Sequence, residues 1–169
     1  MGYTDHQATA SAVVARVAIV TLSDTRTEAT DTSGQAIRQL LTDSGHTVLR
    51  YDLIRDDPGP LEALLRELLA RPELDLILTS GGTGISPRDQ TIDVIERLLD
   101  KPLPGFGELF RMLSWEQIGS GAMLSRASGG LAAGRLLFAM PGSTKAVELA
   151  MSRLILPELA HLVHEMRKL

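Results

Sequence analysis

Residues 74–84, LDLILTSGGTG, decide the fold of this chain of 169 residues. The first part, 74–79, is a short apolar run of the kind typical of a strand buried on both faces, as in a parallel sheet. This strand runs into Ser80 and then into a loop with three glycines in four positions, 81–84. Ligands bind beyond the carboxyl ends of such strands in open α/β sheets. The loop therefore marks a candidate binding site.

The chain on either side continues this alternation of strands and helices. Apolar residues three and four positions apart predict helices, and short runs rich in β-branched side chains predict strands. In chain order we predict strands at 16–22 and 47–54, each followed by a helix, then helices at 91–99 and 108–118, a hairpin of strands 128–133 and 135–140, and a helical tail over 143–169 that is interrupted at Pro157.

The β-α-β-α-β order with short connections favours a parallel sheet with helices on both faces. We therefore predict an α/β fold, a three-layer α/β/α sandwich with a mostly parallel central sheet and an antiparallel edge strand. The length is that of one domain. Residues 15–169 are expected to form that single domain, preceded by a flexible segment over residues 1–14.

Composition and charge exclude several classes of protein. The chain has 17 Lys and Arg residues against 21 Asp and Glu, for a net charge of −4. This balance lacks the excess of positive charge that is typical of proteins that bind nucleic acid or anionic membranes. The chain has no cysteine, so disulfides, thiolate zinc sites and cysteine nucleophiles are excluded. A polar amino terminus and the lack of a long apolar run predict a cytoplasmic protein with neither a signal peptide nor a membrane span.

Polar and glycine residues follow every predicted parallel strand, at the point where the strand ends. Backbone N–H groups of glycine loops can hold phosphate, and carboxylates can hold a divalent cation such as Mg²⁺. Together they suggest a site for a phosphorylated ligand. The candidate residues are Ser23 and Asp24; Asp56 and Asp57; Gly81, Gly82, Thr83 and Gly84; Asp89, Thr91 and Asp93; and Pro141, Gly142 and Ser143.

Each candidate also has an ordinary structural account. The glycine loop can be a tight turn, and Asp56 and Asp57 can be turn formers before Pro58. Asp89 and Asp93 can be charges at a helix amino terminus. Ser143 can cap the last helix, a role compatible with anion binding.

Standard nucleotide motifs do not occur here. Ser86 and Pro87 stand where the second glycine of a Walker A motif would be required, and Pro87 also breaks the dinucleotide-binding pattern. Any nucleotide is therefore bound by another arrangement. Trp115 and Met112 are candidates for core or subunit contact, because their segment is rich in large apolar side chains.

Taken together, the chain resembles the MoaB/MogA family of molybdenum cofactor biosynthesis, to which the G domain of gephyrin is related. The resemblance extends over almost the whole chain and is specific as a combination. Its matching segments are residues 22–24 (LSD), 79–84 (TSGGTG), 88–89 (RD), 105–108 (GFGE), 124–126 (LSR) and 140–145 (MPGSTK).

The resemblance implies that the protein binds molybdopterin and transfers AMP from Mg-ATP to the terminal phosphate of the pterin. It implies two catalytic, Mg²⁺-binding carboxylates, Asp56 and Asp89, and a phosphate-holding glycine loop. The other implied substrate-binding residues are Ser23, Asp24, Gly81, Gly82, Thr83, Gly84, Thr91, Asp93, Ser125, Pro141, Gly142 and Ser143.

A second reading of the same resemblance is a molybdopterin-binding carrier without nucleotide chemistry. Retention of Asp56, Asp89 and Asp93 favours the enzyme, because family members that lack the carboxylate at the position of Asp56 are inactive. Under either reading the resemblance implies a homo-oligomer, trimer or hexamer, and leaves room for other proteins of the pathway as partners. Nucleic acid and membrane are not expected partners.

Overall fold

The computed structural model of the protein describes residues 13–168. Its strands and helices, in chain order, are β1 (Arg16–Leu22), α1 (Thr32–Asp43), β2 (Thr47–Ile54), α2 (Pro58–Leu69), β3 (Leu76–Ser80), α3 (Thr91–Leu98), β4 (Lys101–Pro102), α4 (Pro104–Ile118), β5 (Ser128–Ala132), β6 (Arg135–Met140), α5 (Thr144–Ala150) and α6 (Leu156–Met166). A 3-10 helix, Gly119–Leu124, follows α4, and a π-helical turn, Met151–Ile155, joins α5 to α6.

The strands form one six-stranded sheet in the order β2-β1-β3-β6-β5-β4. The strands β2, β1, β3 and β6 are parallel, whereas β5 pairs antiparallel with β6 and the short edge strand β4 pairs antiparallel with β5. Helices cover both faces. The predicted fold class, with its antiparallel edge, is confirmed.

Alternate residues of the central strands enter two separate hydrophobic cores. In β1, Val17 and Ile19 face the core beneath α1, α4, α5 and α6, whereas Ala18 and Val20 face the core beneath α2 and α3. All four side chains are fully buried. This two-sided burial explains why the strand sequences are continuously apolar rather than alternating.

The order of the strands also places the candidate site. The chain runs from β1 outward to the edge strand β2 and then crosses back to β3 on the other side of β1. The crevice between β1 and β3 is therefore a topological switch point, where open α/β sheets bind ligands. Residues 23–24 and 81–84 lie directly after these two strands.

The structure differs from the prediction in three places. The third strand, predicted at 74–79, is observed at Leu76–Ser80. Helix α4 begins at Pro104, whereas the prediction placed its start at residue 108. Gly105 and Gly107 weaken the helical pattern in the sequence, but proline suits a first helical turn. The edge strand β4 has only two residues and no periodicity, so the sequence does not reveal it.

Two predicted breaks are confirmed. Ala133 and Gly134 join β5 to β6 with φ of 46° and 71°, as expected for a type I′ hairpin. Pro157 lies in the first turn of α6, directly after the π-helical turn, where its missing N–H is tolerated.

None of the helices within residues 13–168 is long and apolar enough to cross a bilayer. The segment predicted to be flexible, residues 1–14, falls almost entirely outside the described part of the chain.

Candidate active site

Four loops meet at the carboxyl edge of the sheet. The Ser23 N–H donates a hydrogen bond to the Ile54 carbonyl (2.9 Å), which joins the loops after β1 and β2. The Gly81 N–H donates to the Met140 carbonyl (3.0 Å), which joins the loops after β3 and β6. The sheet thus collects, on one rim, residues that are far apart in the sequence.

The glycine loop at this rim is in contact with both candidate catalytic carboxylates. A Cβ atom built on Gly82 would lie 2.7 Å from Asp56 Oδ1, and one built on Gly84 would lie 2.8 Å from Asp89 Oδ2. Gly82 also has a φ of +62°, which residues other than glycine rarely adopt. These glycines allow two carboxylates to approach the backbone directly.

Asp56 is held near other negative charges without a partner of its own. Within residues 13–168 its carboxylate makes no hydrogen bond or ion pair. Burial raises the pKa of Asp56 above its ordinary value, and the charges of Asp89 and Asp24 raise it further against a lowering by Arg88. A carboxylate that is destabilised in this way is a ready ligand for a cation, which would offset the repulsion.

Thr91 adds a buried oxygen to the same place. Its side chain is 1% exposed, and its Oγ1 has no hydrogen-bond partner in the described chain. The Oγ1 lies 2.2 Å from the position of a Cβ on Gly82, beside Asp56. A buried hydroxyl without a partner costs about 1–3 kcal/mol, and this one lies beside Asp56, where it could bind a group held at the glycine loop.

Asp89 and Asp93 differ in their surroundings. Asp89 Oδ2 accepts a hydrogen bond from the Ser86 N–H (2.9 Å), which closes a short turn. Both oxygens of Asp93 are bound by the guanidinium of Arg126, at 2.8 and 3.0 Å, and these hydrogen bonds lower the pKa of Asp93. Asp93 is therefore committed to Arg126, whereas Asp56 and one oxygen of Asp89 remain open.

Arg126 also contacts the glycine loop, a role that sequence reasoning missed. Its backbone N–H donates to the Thr83 carbonyl (3.1 Å). It thus connects the segment that carries Ser125 to both α3 and the glycine loop. The only sequence signal was its place in the matching segment 124–126.

Two further predicted residues have structural roles at the rim. Ser23 Oγ accepts hydrogen bonds from the N–H groups of Thr25 (3.3 Å) and Arg26 (3.1 Å), so this hydroxyl shapes the loop after β1. Ser143 Oγ accepts from the Ala146 N–H (3.3 Å), which confirms Ser143 as the cap of α5.

A cavity of about 400 Å³ opens beside the glycine loop. This volume suits a small organic ligand. The cavity brings together many of the predicted residues, namely Gly81, Gly82, Thr83, Gly84, Asp89, Ser125, Pro141, Gly142 and Ser143. The rest of its lining, which sequence reasoning missed, is largely apolar and consists of Phe110, Ser114, Ile118, Ala122, Leu124 and Ala146.

This geometry has known counterparts. Residues 18–161 match the family model described as a probable molybdopterin binding domain. The Bacillus anthracis protein named molybdenum cofactor biosynthesis protein B is 50% identical over 169 residues, covering 99% of each chain. The chain belongs to the MoaB/MogA family of molybdenum cofactor biosynthesis proteins.

Solved structures of MoaB/MogA proteins agree with the architecture. A crystal structure of molybdenum cofactor biosynthesis protein B has a TM-score of 0.89 at 50% identity, covering 91% of this chain and 96% of the other. The tungsten cofactor synthesizing protein MoaB from Pyrococcus furiosus has a TM-score of 0.82 at 32% identity, covering 92% and 98%.

Proposed function

We propose that this protein binds molybdopterin and transfers AMP from Mg-ATP to its terminal phosphate. One observation carries the proposal. Two carboxylates, Asp56 and Asp89, lie against a glycine loop that lines a cavity of about 400 Å³. Backbone N–H groups that can bind phosphate, carboxylate oxygens that can bind a metal ion, and space for an organic ring are therefore adjacent.

Mg²⁺ fits the oxygens that the site presents. No group of three or more carboxylate or imidazole side chains encloses a metal position within residues 13–168. Magnesium commonly uses one or two protein carboxylates together with substrate phosphates, and Asp56 and Asp89 supply such a pair. Bound there, Mg²⁺ would reduce the charge repulsion between two phosphorylated substrates.

The glycine loop supplies donors for the phosphates. The N–H groups of Gly82, Thr83 and Gly84 make no hydrogen bond to another group of the described chain. Neutral backbone donors can bind phosphate oxygens without bringing in a side chain that would fill the site. We assign the loop to a phosphate at the junction of the two substrates.

The reaction needs positioning more than proton transfer. A terminal phosphate oxygen of the pterin attacks the α-phosphorus of ATP, the bond between the α-phosphorus and its bridging oxygen to the β-phosphate breaks, and pyrophosphate leaves with that bond's electrons. The attacking phosphate is already ionised near neutral pH, so no side chain has to act as a general base. The chain's residues hold the two phosphates in line.

We further propose that a second copy of the chain covers α4. Leu109, Met112, Trp115 and Ile118 recur every three residues along α4 and are 46–63% exposed. Phe106 and Phe110, by contrast, are buried in the core, so the core account applies to the phenylalanines but not to Trp115 and Met112. An exposed apolar stripe of this kind indicates an interaction surface, and Ile118 extends it to the wall of the cavity.

Incubation with Mg-ATP and molybdopterin tests the proposed reaction. Adenylylated molybdopterin and pyrophosphate should form in equal amounts, and Asp89→Asn should abolish both while the variant remains folded. The carrier reading predicts a different result, which is pterin binding without measurable affinity for Mg-ATP. That outcome, with an active family member as positive control, would refute the transferase.

A further inference from the structure

Two arginines and one aspartate form an ion-pair cluster on the rim beside the proposed metal ligands. Asp24 Oδ2 is 2.5 Å from a terminal nitrogen of Arg88, and Asp24 Oδ1 is 3.5 Å from Nε of Arg55. The side chains of Arg88 and Arg55 are 72% and 83% exposed, and that of Asp24 is 28% exposed. The three residues come from three different loops.

The sequence positions of the arginines connect this cluster to the site. Arg55 directly precedes Asp56, and Arg88 directly precedes Asp89. The two aspartates approach the glycine loop, while the two arginines converge on Asp24. Arg88 is close enough to Asp56 to oppose the rise in its pKa. Positive charge therefore lies immediately beside the proposed Mg²⁺ position.

Stability does not account for this arrangement. Ion pairs between exposed side chains contribute little to folding, because water screens them and ordering long side chains costs entropy. Both arginines are mainly in solvent, so they can leave Asp24 readily. Arginine, moreover, binds phosphate oxygens through a planar set of donors.

We propose that Arg55 and Arg88 form a binding site for the polyphosphate chain of a nucleoside triphosphate, with Asp24 as their counter-ion in the free protein. On binding, the β- and γ-phosphates replace the Asp24 carboxylate as partner of the two arginines. This inference rests on the ATP-binding part of the proposed function. It assigns binding energy for the leaving pyrophosphate to residues outside the glycine loop.

The chain contains a matched control for this cluster. Glu62 is likewise shared by two arginines, Arg66 at 2.7 Å and Arg97 at 3.2 Å. Arg66 and Arg97 line a different surface pocket together with Ala133 of the β5–β6 turn, at the opposite edge of the sheet. Their removal changes the net charge by the same amount but leaves the rim intact.

Direct binding measurements test the inference. The double variant Arg55→Gln/Arg88→Gln should bind Mg-ATP and Mg-tripolyphosphate at least about tenfold more weakly, as expected for the loss of charged hydrogen bonds. Its affinity for AMP, which lacks the β- and γ-phosphates, should change by less than about twofold. Arg66→Gln/Arg97→Gln should match the wild type with all three ligands.

The variant Asp24→Asn gives a second test of the proposal. Without the competing carboxylate, Mg-tripolyphosphate should bind several-fold more tightly than to the wild type; weaker binding would show that the arginines are not released from Asp24. Unchanged affinity of the Arg55→Gln/Arg88→Gln variant for Mg-tripolyphosphate would overturn the proposal, as would an equal loss in the control pair. Thermal unfolding curves confirm that each variant is folded.

The two proposals fail in distinguishable ways. A wild type that binds Mg-tripolyphosphate through the arginines but forms no adenylylated pterin contradicts only the transferase. A wild type that forms adenylylated pterin, while the arginine variant keeps full affinity for Mg-ATP, contradicts only the arginine site.

Discussion

Arg26 donates a hydrogen bond to the Gly142 carbonyl (2.9 Å) and so ties the loop after β1 to the loop after β6, 116 residues away. The same guanidinium contacts Asp31 Oδ1 (3.2 Å) and Ser33 Oγ (2.5 Å), at the start of α1. Arg26 therefore fixes one wall of the cavity to the buried amino terminus of a helix.

We expect Arg26→Gln to weaken molybdopterin binding and to destabilise the fold by about 1–3 kcal/mol, the range for losing charge-assisted hydrogen bonds. Arg135→Gln is the control, because Arg135 also donates to backbone carbonyls, those of Arg71 (3.2 Å) and Gly134 (2.9 Å), at the opposite edge. Pterin titration and urea denaturation separate the two effects. Equal pterin affinity in both variants would contradict a positioning role for Arg26.

Asp31 should make stability depend on acid pH. Burial alone would raise its pKa, but hydrogen bonds from Tyr51, Thr21, Gly34 and Ser33 lower the pKa below the ordinary value of 3.8. The charged form is thus favoured in the folded state, so its contribution is complete above pH 3.8 and is lost as the pH falls through the lowered pKa.

Asp31→Asn should accordingly cost about 2–4 kcal/mol at pH 7, since it removes one partner of a buried charged network. Asparagine keeps the capping acceptor for Gly34, so the loss reports the charge. Urea denaturation between pH 7 and pH 3 checks this. A difference between variant and wild type that does not shrink at the acid end would contradict the lowered pKa.

Gly82→Ala should damage both the fold and the site. Its Cβ would lie 2.2 Å from Thr91 Oγ1 and 2.7 Å from Asp56 Oδ1, and its φ is +62°. Gly45→Ala is the control, because Gly45 has a φ of +79° but no atom within 4 Å of its Cβ position.

Backbone strain alone costs about 1–2 kcal/mol, which is the loss expected for Gly45→Ala. Gly82→Ala should lose more than that and should also lose Mg-ATP binding, as measured by urea denaturation and by titration. Similar losses in the two variants would show that the side chains of Thr91 and Asp56 can move aside.

Asp56→Asn should abolish transfer yet raise the melting temperature at pH 7. The raised pKa means that the folded state favours the protonated form, so the carboxylate's charge is unfavourable at neutral pH. The advantage of asparagine should disappear as the pH falls below the ordinary value of 3.8, where Asp56 is protonated in both states.

Mg²⁺ should reverse this order by stabilising only the wild type. Asp57→Asn is the matched control, because Asp57 caps α2 through the Gly59 N–H (3.0 Å) and asparagine caps equally well. Thermal scans with and without Mg²⁺ measure both effects, and stabilisation of Asp56→Asn by Mg²⁺ would remove Asp56 from the metal site.

Trp115→Glu should dissociate the oligomer proposed for α4. Trp115 is 62% exposed in the middle of the apolar stripe, where a charge would have to be buried on association. Leu49→Glu, at a 45% exposed apolar residue of β2, is the control. Light scattering at micromolar concentration gives the mass. A monomeric wild type, or an unchanged mass for Trp115→Glu, would contradict the interface.

The local features of the sequence were enough for the architecture and for the part of the candidate site that follows the ends of the strands. Continuous apolar strands predict a buried parallel sheet because each strand is covered on both faces. The rule that ligands lie beyond strand ends then collects the glycine loop and the nearby aspartates without knowledge of the strand order. Only the family resemblance singles out Asp56 and Asp89 among them. The start of helix α4 and the strand β4 were harder to predict, because glycines and a two-residue strand leave no periodic pattern in the sequence.

The partners of the arginines at the rim became visible only in three dimensions. An arginine on its own in a sequence is usually a solvated surface residue, and its partner is not a neighbour: Arg88 and Asp24 are 64 residues apart, and Arg126 and Asp93 are 33 apart. Hydrophobic periodicity is a property of a single segment and can be read within it. Which loops exchange hydrogen bonds depends on the order in which the sheet places β1, β3 and β6 side by side, and long-range pairing settles that order.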